Sequence, residues 1–401
     1  MLTSLAFIFL AGLLMAAVCK RLKLPGIIGM LITGIVLGPY VLDLLDPSIL
    51  SVSSDLRQMA LIIILLKAGL SLDLSDLKKV GRPAIMMSCV PASCEILAFF
   101  LLAPSLLGVT RIEAAVMGAV LAAVSPAVVV PRMVRLMDEK YGTKKSIPQL
   151  ILAGASCDDI FVIVLFSTFS GMAQGGHANV MGFVNIPVSI VMGIALGAAA
   201  GFVLSVFFET SYAHRHCVRN SVKVIIVLGV SFLLMAVETW LKGIVSVSGL
   251  LAVVSMACVI RIRCVPQVTA RLSEKFGKLW LAAEVILFVL VGAAVDIRYT
   301  LEAGIAAVAM IFTALIFRGI GVSLCLVKTS LSFKERLFCI IAYLPKATVQ
   351  AAIGSVPLAM GLSCGKIVLS VAVLAILITA PLGAIGIDSA YKKLLTHDEN
   401  G

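Results

Sequence analysis

Apolar stretches of about 17–28 residues alternate along the chain with short polar loops. A helix of that length crosses a bilayer, because each helical residue adds about 1.5 Å along the axis. The pattern therefore predicts an all-α polytopic membrane protein with thirteen transmembrane helices. The predicted spans are 2–19, 24–45, 56–72, 83–107, 112–133, 148–171, 184–209, 221–238, 243–262, 278–296, 300–328, 334–359 and 366–391.

Composition supports the same class of protein. Of the 401 residues, 61% are hydrophobic and 13% are charged. A soluble protein of this length could not bury so large an apolar fraction. The composition therefore excludes a soluble globular domain and favours a membrane transporter or channel.

The basic residues predict the orientation in the membrane. Most of the 32 lysines and arginines follow the odd-numbered spans. Basic loops remain on the cytoplasmic side, so we expect an external N-terminus and a cytoplasmic C-terminus, in the cell (inner) membrane. The net charge of +11 then reflects loops beside the bilayer and its anionic lipids, and it indicates no nucleic-acid partner.

Several ionisable residues lie deep inside the predicted spans. A charged side chain at the bilayer centre costs about 2.5–3.5 kcal/mol on insertion scales, and such residues usually face a bundle interior or an aqueous cavity. We therefore expect them either to neutralise one another as buried pairs or to line a functional site, and the two roles are compatible. They are Glu95, Asp158, Asp159, Arg318 and Lys346.

Asp158 and Asp159 are adjacent in the sixth span. Consecutive helical residues point about 100° apart, so the two carboxylates enter different environments. One can face a basic partner while the other faces a cavity. A carboxylate there can hold a proton or a hard cation, and the two compete for the same oxygens. Whether Arg318 pairs with Glu95 or with Asp158 stays open at this point.

Prolines interrupt the fifth and twelfth spans. Pro126 lies in the stretch AVSPAVVVPRM, and Pro345 lies in AYLPKATVQAAIGSVP. Glu95 precedes the first break by one span, and Arg318 precedes the second break in the same way. The fourth to sixth spans and the eleventh to thirteenth spans therefore share one order of features, and the two groups enter the membrane from opposite sides. They predict an inverted-topology repeat with an ion site between the interrupted helices.

Half-helix ends at such breaks carry partial charges and free backbone groups. We expect the carbonyl groups near Val124 and Ser125, and the Ser125 hydroxyl, to contribute cation ligands. Lys346 could compensate the negative end of a half-helix. Ser156 lies three residues before Asp159, near the same helix face, and is a further candidate ligand.

The stretches CDDIFVIVLF and LPKATVQAAIG resemble the monovalent cation:proton antiporter superfamily, in its NHA-type sodium/proton exchanger branch. The resemblance implies two crossing broken helices in a mobile core domain, at about 83–171 and 300–391. It also implies a dimerisation or scaffold domain at about 1–72 and 184–262, with a linker helix at 278–296. A homodimer with an elevator motion is expected.

The resemblance also implies roles for the cluster. Asp159 matches the principal ion-binding carboxylate, and Asp158 matches its partner, so Na⁺ or Li⁺ would bind at this pair. Asp158 would pair with a base on the eleventh span. Many relatives have lysine there, whereas this chain has Arg318, which effectively never deprotonates.

We therefore predict a secondary active antiporter that exchanges Na⁺ or Li⁺ for H⁺, with no cofactor and no enzymatic activity. A K⁺/H⁺ antiporter of the same superfamily is the main alternative, because carboxylate and carbonyl oxygens bind both cations. A sodium-coupled organic-anion symporter is a further one. An intramembrane aspartyl protease is disfavoured, because its two acids should come from separate helices.

Overall fold

The computed structural model describes residues 1–22, 24–71, 81–174, 180–213, 219–241, 245, 247–296 and 304–397. Regular structure in these ranges is helical, apart from an isolated antiparallel bridge between Tyr141 and His397. The helices are α1 Leu2–Arg21, α2 Gly26–Leu37, α3 Pro47–Ser51, α4 Ser53–Ser71, α5 Arg82–Met87, α6 Val90–Leu107, α7 Arg111–Ala122, α8 Pro126–Asp138, α9 Ile147–Gln174, α10 Val180–Ala213, α11 Asn220–Trp240, α12 Gly249–Arg263, α13 Pro266–Ala293, α14 Gly304–Cys325, α15 Phe333–Ala342, α16 Thr348–Gly354, α17 Val356–Ala359 and α18 Gly365–Leu394.

Within the described residues, eight helical segments are long and apolar enough to cross a membrane. Shorter apolar helices accompany them at Gly26–Leu37 and Thr348–Ala359. The chain is therefore an all-α multi-pass membrane protein, as its hydropathy pattern predicts. The total of thirteen spans stays a prediction. The long segments are Leu2–Arg21, Arg82–Leu107, Ile147–Gln174, Val188–Glu209, Ser221–Trp240, Pro266–Ala293, Gly304–Cys325 and Gly365–Leu394.

Some predicted boundaries differ from the helices. The second span was expected to reach residue 45, but α2 ends at Leu37. Gly38 and Pro39 follow, and a residue before proline is disfavoured in the helical conformation. The fourth span is divided into α5 and α6 at Ser88 and Cys89, with a proline in the first turn of α6. In both places a proline determines where the helix ends or restarts.

The chain divides into two compact units. The first comprises Met1–Arg57, Asp73–Val162 and Val285–Gly401, and it contains both interrupted helices. Its core joins apolar side chains of α5, α8, α9, α14, α15 and α18. Buried members of this core include Met87, Val129, Met133, Ile151, Val322, Phe338, Tyr343 and Ile387.

The second unit comprises Gln58–Leu72 and Ile163–Glu284. In it α10 packs closely against α12 through small residues. A Cβ atom added to Gly197 would lie 2.1 Å from the carbonyl oxygen of Ala252, and one added to Gly193 would lie 2.6 Å from that of Ser248. These glycines therefore allow two helices of the same chain to approach backbone to backbone.

Candidate functional site

The first interruption separates α7 from α8. Ala123 and Ser125 adopt extended backbone angles, and Pro126 begins α8 without a backbone N–H group. The N–H groups freed here find partners elsewhere in the first unit. Val124 donates to Asp158 Oδ2 at 2.8 Å, and Ser125 donates to the carbonyl oxygen of Pro345 at 2.8 Å.

The second interruption lies between α15 and α16. The Lys346 N–H donates to Thr379 Oγ1 at 3.0 Å, and the Ala347 N–H donates to Gln350 Oε1 at 2.8 Å. Side chains thus replace the helical hydrogen bonds that Pro345 prevents. Because the Pro345 carbonyl accepts from Ser125, the two interruptions lie against each other.

Gln350 joins the two interruptions a second time. Its Nε2 donates to the carbonyl oxygen of Ala123 at 2.7 Å and to that of Leu121 at 3.3 Å, while its Oε1 accepts from Ala347. The side chain is fully buried. A single amide therefore satisfies backbone groups on both sides of the crossing, which the carboxamide can do because it both donates and accepts.

Arg318 contacts both acids that sequence reasoning left as alternatives. Its Nη1 lies 2.9 Å from Glu95 Oε2, and its Nη2 lies 3.1 Å from Asp158 Oδ2. Nε donates to the carbonyl oxygen of Tyr343 at 2.6 Å, and Nη1 also donates to that of Ala122. These carbonyls lie at the C-terminal ends of α15 and α7, where a positive charge is stabilising.

Lys346 pairs with Glu95 from the other side. Its Nζ lies 2.7 Å from Glu95 Oε1 and 2.8 Å from Oε2, and it also donates to the carbonyl oxygen of Leu121. Leu121 lies in the last turn of α7, so the ammonium also stands at the negative end of a half-helix. Glu95 thus links the two buried bases, and all three side chains are at most 1% exposed.

The two aspartates differ in their surroundings. Asp158 is fully buried, and its Oδ2 accepts from both Val124 and Arg318. Asp159 is 8% exposed, and no described residue forms an ion pair with it. Oδ1 of each aspartate is buried without a hydrogen-bond partner among the described residues. Adjacent positions on α9 therefore produce one carboxylate bound to a base and one that no described base contacts.

Two of the three remaining candidate ligands lie at the first interruption. Ser125 Oγ is buried and has no hydrogen-bond partner in the described part of the chain. Val124 is fully buried and contributes its N–H group to Asp158. Ser156 lies in α9, but its side chain falls outside the described residues.

Sequence reasoning missed three residues of this cluster, namely Tyr343, Gln350 and Thr379. Gln350 carried a usable signal, because it is an amide inside an apolar stretch directly after a helix-breaking proline. Tyr343 acts partly through its backbone carbonyl, for which a sequence has no signal. Thr379 lies on α18 and meets Lys346 only through tertiary packing.

The family profile described as sodium/hydrogen exchanger, transmembrane, matches residues 5–392. The chain belongs to this sodium/hydrogen exchanger family. This chain is 35% identical over 390 residues to sodium/hydrogen exchanger 9B2 of Homo sapiens, and the match covers 94% of this chain and 71% of that protein. It is 32% identical over 394 residues to sodium/hydrogen exchanger 9B1 of Homo sapiens, covering 93% and 73%.

A solved structure has the same fold as this family member. The sodium proton antiporter MjNhaP1 from Methanocaldococcus jannaschii at pH 8 superposes with a TM-score of 0.81. The superposition covers 98% of this chain and 99% of that one, at 22% sequence identity. The chain therefore shares the fold of that antiporter.

Proposed function

We propose that the chain is a secondary active antiporter that exchanges Na⁺ for H⁺ and also accepts Li⁺, with both substrates binding at Asp159. Membership of the sodium/hydrogen exchanger family supports the exchange. The names of its relatives, which are exchangers 9B2 and 9B1, agree with it. The chain is thus proposed to be a transporter and not an enzyme, with monovalent cations and protons as its substrates and no cofactor.

The balance of buried charge is the observation that carries this proposal. Arg318 and Lys346 face two acids, which are Glu95 and Asp158. Asp159 has no basic partner among the described residues. An uncompensated carboxylate in a low-dielectric site is unfavourable, so it binds a proton or a cation. Because one carboxylate serves both substrates, each displaces the other.

The oxygen atoms near the crossing suit a hard monovalent cation. Asp159 Oδ1, Asp158 Oδ1 and Ser125 Oγ are buried oxygens that no described residue satisfies. Hard cations take carboxylate, hydroxyl and carbonyl oxygens as ligands. We propose that Asp159 is the principal ligand, that Asp158 and Ser125 assist, and that Val124 and Ser156 are adjacent candidates.

Transport requires the site to open to each side in turn. We propose an elevator motion of the core at about 83–171 and 300–391 against a scaffold at about 1–72 and 184–262, with 278–296 as linker. The scaffold would form a homodimer. The C-terminus would be cytoplasmic, and the basic loops would contact anionic lipids of the cell membrane.

Transport by the purified protein in proteoliposomes tests the function. Vesicles with an internal pH indicator receive Na⁺, Li⁺ or K⁺ across a pH series. We expect proton efflux in response to Na⁺ and Li⁺, with little response to K⁺. The rate should fall steeply in acid, because protons then occupy Asp159. A response to K⁺ that equals the response to Na⁺ would favour the K⁺/H⁺ alternative, and uptake of an organic anion would favour the symporter.

A further inference from the structure

Tyr343 is a fully buried residue at the end of α15 that contacts Arg318 in two ways. Its carbonyl oxygen accepts from Arg318 Nε at 2.6 Å. Its ring centroid lies 5.5 Å from the guanidinium carbon, which is within the range of a cation–π contact. The backbone and the ring of one residue therefore both orient the guanidinium.

The other end of the Tyr343 side chain meets α9 at Gly154. A Cβ atom added to Gly154 would lie 2.0 Å from Tyr343 Oη and 3.0 Å from Met87 Cβ. No side chain fits at that distance, so glycine is required for this approach. Gly154 lies four residues before Asp158 and therefore on the same face of α9, one turn away.

The position of the Tyr343 hydroxyl is not set by a hydrogen bond to any described residue. Tyr343 Oη is buried and has no hydrogen-bond partner among the described residues, although buried tyrosines usually find one. What the hydroxyl does contact is the backbone of α9 at Gly154. The side chain thus extends from Arg318 to the helix that carries Asp158.

We infer that Tyr343 is a positioning residue for the ion pair between Arg318 and Asp158. Its carbonyl and ring hold the guanidinium, and its hydroxyl end sets the distance to α9 at Gly154. The guanidinium then stays 3.1 Å from Asp158, so that the adjacent Asp159 is the carboxylate without a base in the part of the chain that the structure describes. The effect on transport rests on the proposed exchange, whereas the contact itself does not.

Substitutions at Gly154 and Tyr343, made singly and together, test the inference. Gly154→Ala places a methyl group against the hydroxyl and should displace α9 or Tyr343. Tyr343→Phe removes the hydroxyl, after which the nearest atoms to that methyl group are Met87 Cβ at 3.0 Å and the ring carbon Cζ at 3.3 Å. Small shifts relieve such contacts, so the double variant should recover. Gly171→Ala is the matched control on the same helix, because an added Cβ there meets nothing within 4 Å.

Thermal unfolding in detergent and radioactive Na⁺ uptake over a range of Na⁺ concentrations are measured for each variant, per amount of folded protein. Gly154→Ala should raise the apparent KM for Na⁺ or lower the maximal rate by about tenfold or more. The double variant should return to within about threefold of wild type, a ratio below 1 kcal/mol by the conversion of tenfold to 1.4 kcal/mol. Gly171→Ala should match wild type.

Two results would overturn the inference. One is a Gly154→Ala variant with wild-type melting temperature and kinetics. The other is a double variant no better than Gly154→Ala alone. If Gly154→Ala yields no folded protein, the yield of folded protein is compared instead, and the double variant should restore it. Absence of exchange by the wild-type protein would contradict the proposed function, while the melting comparison would still test the contact.

Discussion

Arg318 Nη2 lies 3.1 Å from Asp158 Oδ2, and both side chains are fully buried. The same guanidinium lies 2.9 Å from Glu95. Asp158 is therefore the acid of the adjacent pair that binds a base, and we propose that its neighbour Asp159 is the acid available to a substrate. Which side of α9 faces Arg318 sets this difference between the two carboxylates.

Removal of the guanidinium should destabilise the first unit. Arg318→Ala leaves Asp158 as a buried carboxylate without a base, and breaking a buried ion pair typically costs about 3–5 kcal/mol. We expect a large fall in melting temperature that Asp158→Asn partly reverses in the Arg318→Ala background. Arg271→Ala, at an exposed arginine, serves as the control. Equal melting temperatures for Arg318→Ala with and without Asp158→Asn would contradict the pairing.

Gln350 should be needed to hold the crossing together. Gln350→Leu keeps a side chain of similar volume but leaves the Ala123 carbonyl and the Ala347 N–H without their side-chain partner. Each unsatisfied buried group costs about 1–3 kcal/mol, so melting temperature and exchange should both fall. Gln267→Leu, at an exposed glutamine, is the matched control. A Gln350→Leu variant as stable as that control would show that the amide does not join the interruptions.

The close approach of α10 and α12 should not tolerate a methyl group. The Cβ of a Gly197→Ala variant would lie 2.1 Å from the Ala252 carbonyl oxygen. Overpacking of this kind costs about 1–3 kcal/mol, and we expect a lower melting temperature in detergent. Gly229→Ala, where an added Cβ meets nothing within 4 Å, should leave it unchanged. Equal melting temperatures for the two variants would argue against this packing.

Exchange should be electroneutral, with one proton per cation. Asp159 is the acid left without a base in the described part of the cluster, and one bound H⁺ or one bound Na⁺ neutralises it alike. A membrane potential acts on a net charge that moves, at about 2.3 kcal/mol per charge for each 100 mV. Potentials imposed with K⁺ and valinomycin should therefore not change the initial rate of Na⁺ uptake. A rate that follows the potential would show a different stoichiometry.

Much of this cluster is visible in the sequence, because charges and prolines are rare inside apolar spans. Glu95, Asp158 and Arg318 stand out there without any knowledge of the fold. Helical geometry also predicts that adjacent aspartates enter different environments. The prolines at 126 and 345 predict both interruptions, and the structure confirms them.

The partners could not be predicted, because they depend on tertiary packing. Arg318 is separated from Glu95 by 223 residues and from Asp158 by 160 residues along the chain. A guanidinium has five donors in a planar fork, so Arg318 can bind both acids at once and does not choose between them. Similarly, Gln350 reaches a carbonyl 227 residues away, which no local pattern encodes.

We propose that Asp159 carries the transported ion while Asp158 maintains the buried charge network. Na⁺ uptake and thermal unfolding of Asp159→Asn beside Asp158→Asn distinguish these two roles. We expect Asp159→Asn to abolish uptake down to the level of protein-free vesicles but to keep its melting temperature, because no described base loses a partner. Asp158→Asn should melt at a clearly lower temperature, because Arg318 loses one of its two acids. Undiminished uptake by Asp159→Asn would show that the ion binds elsewhere.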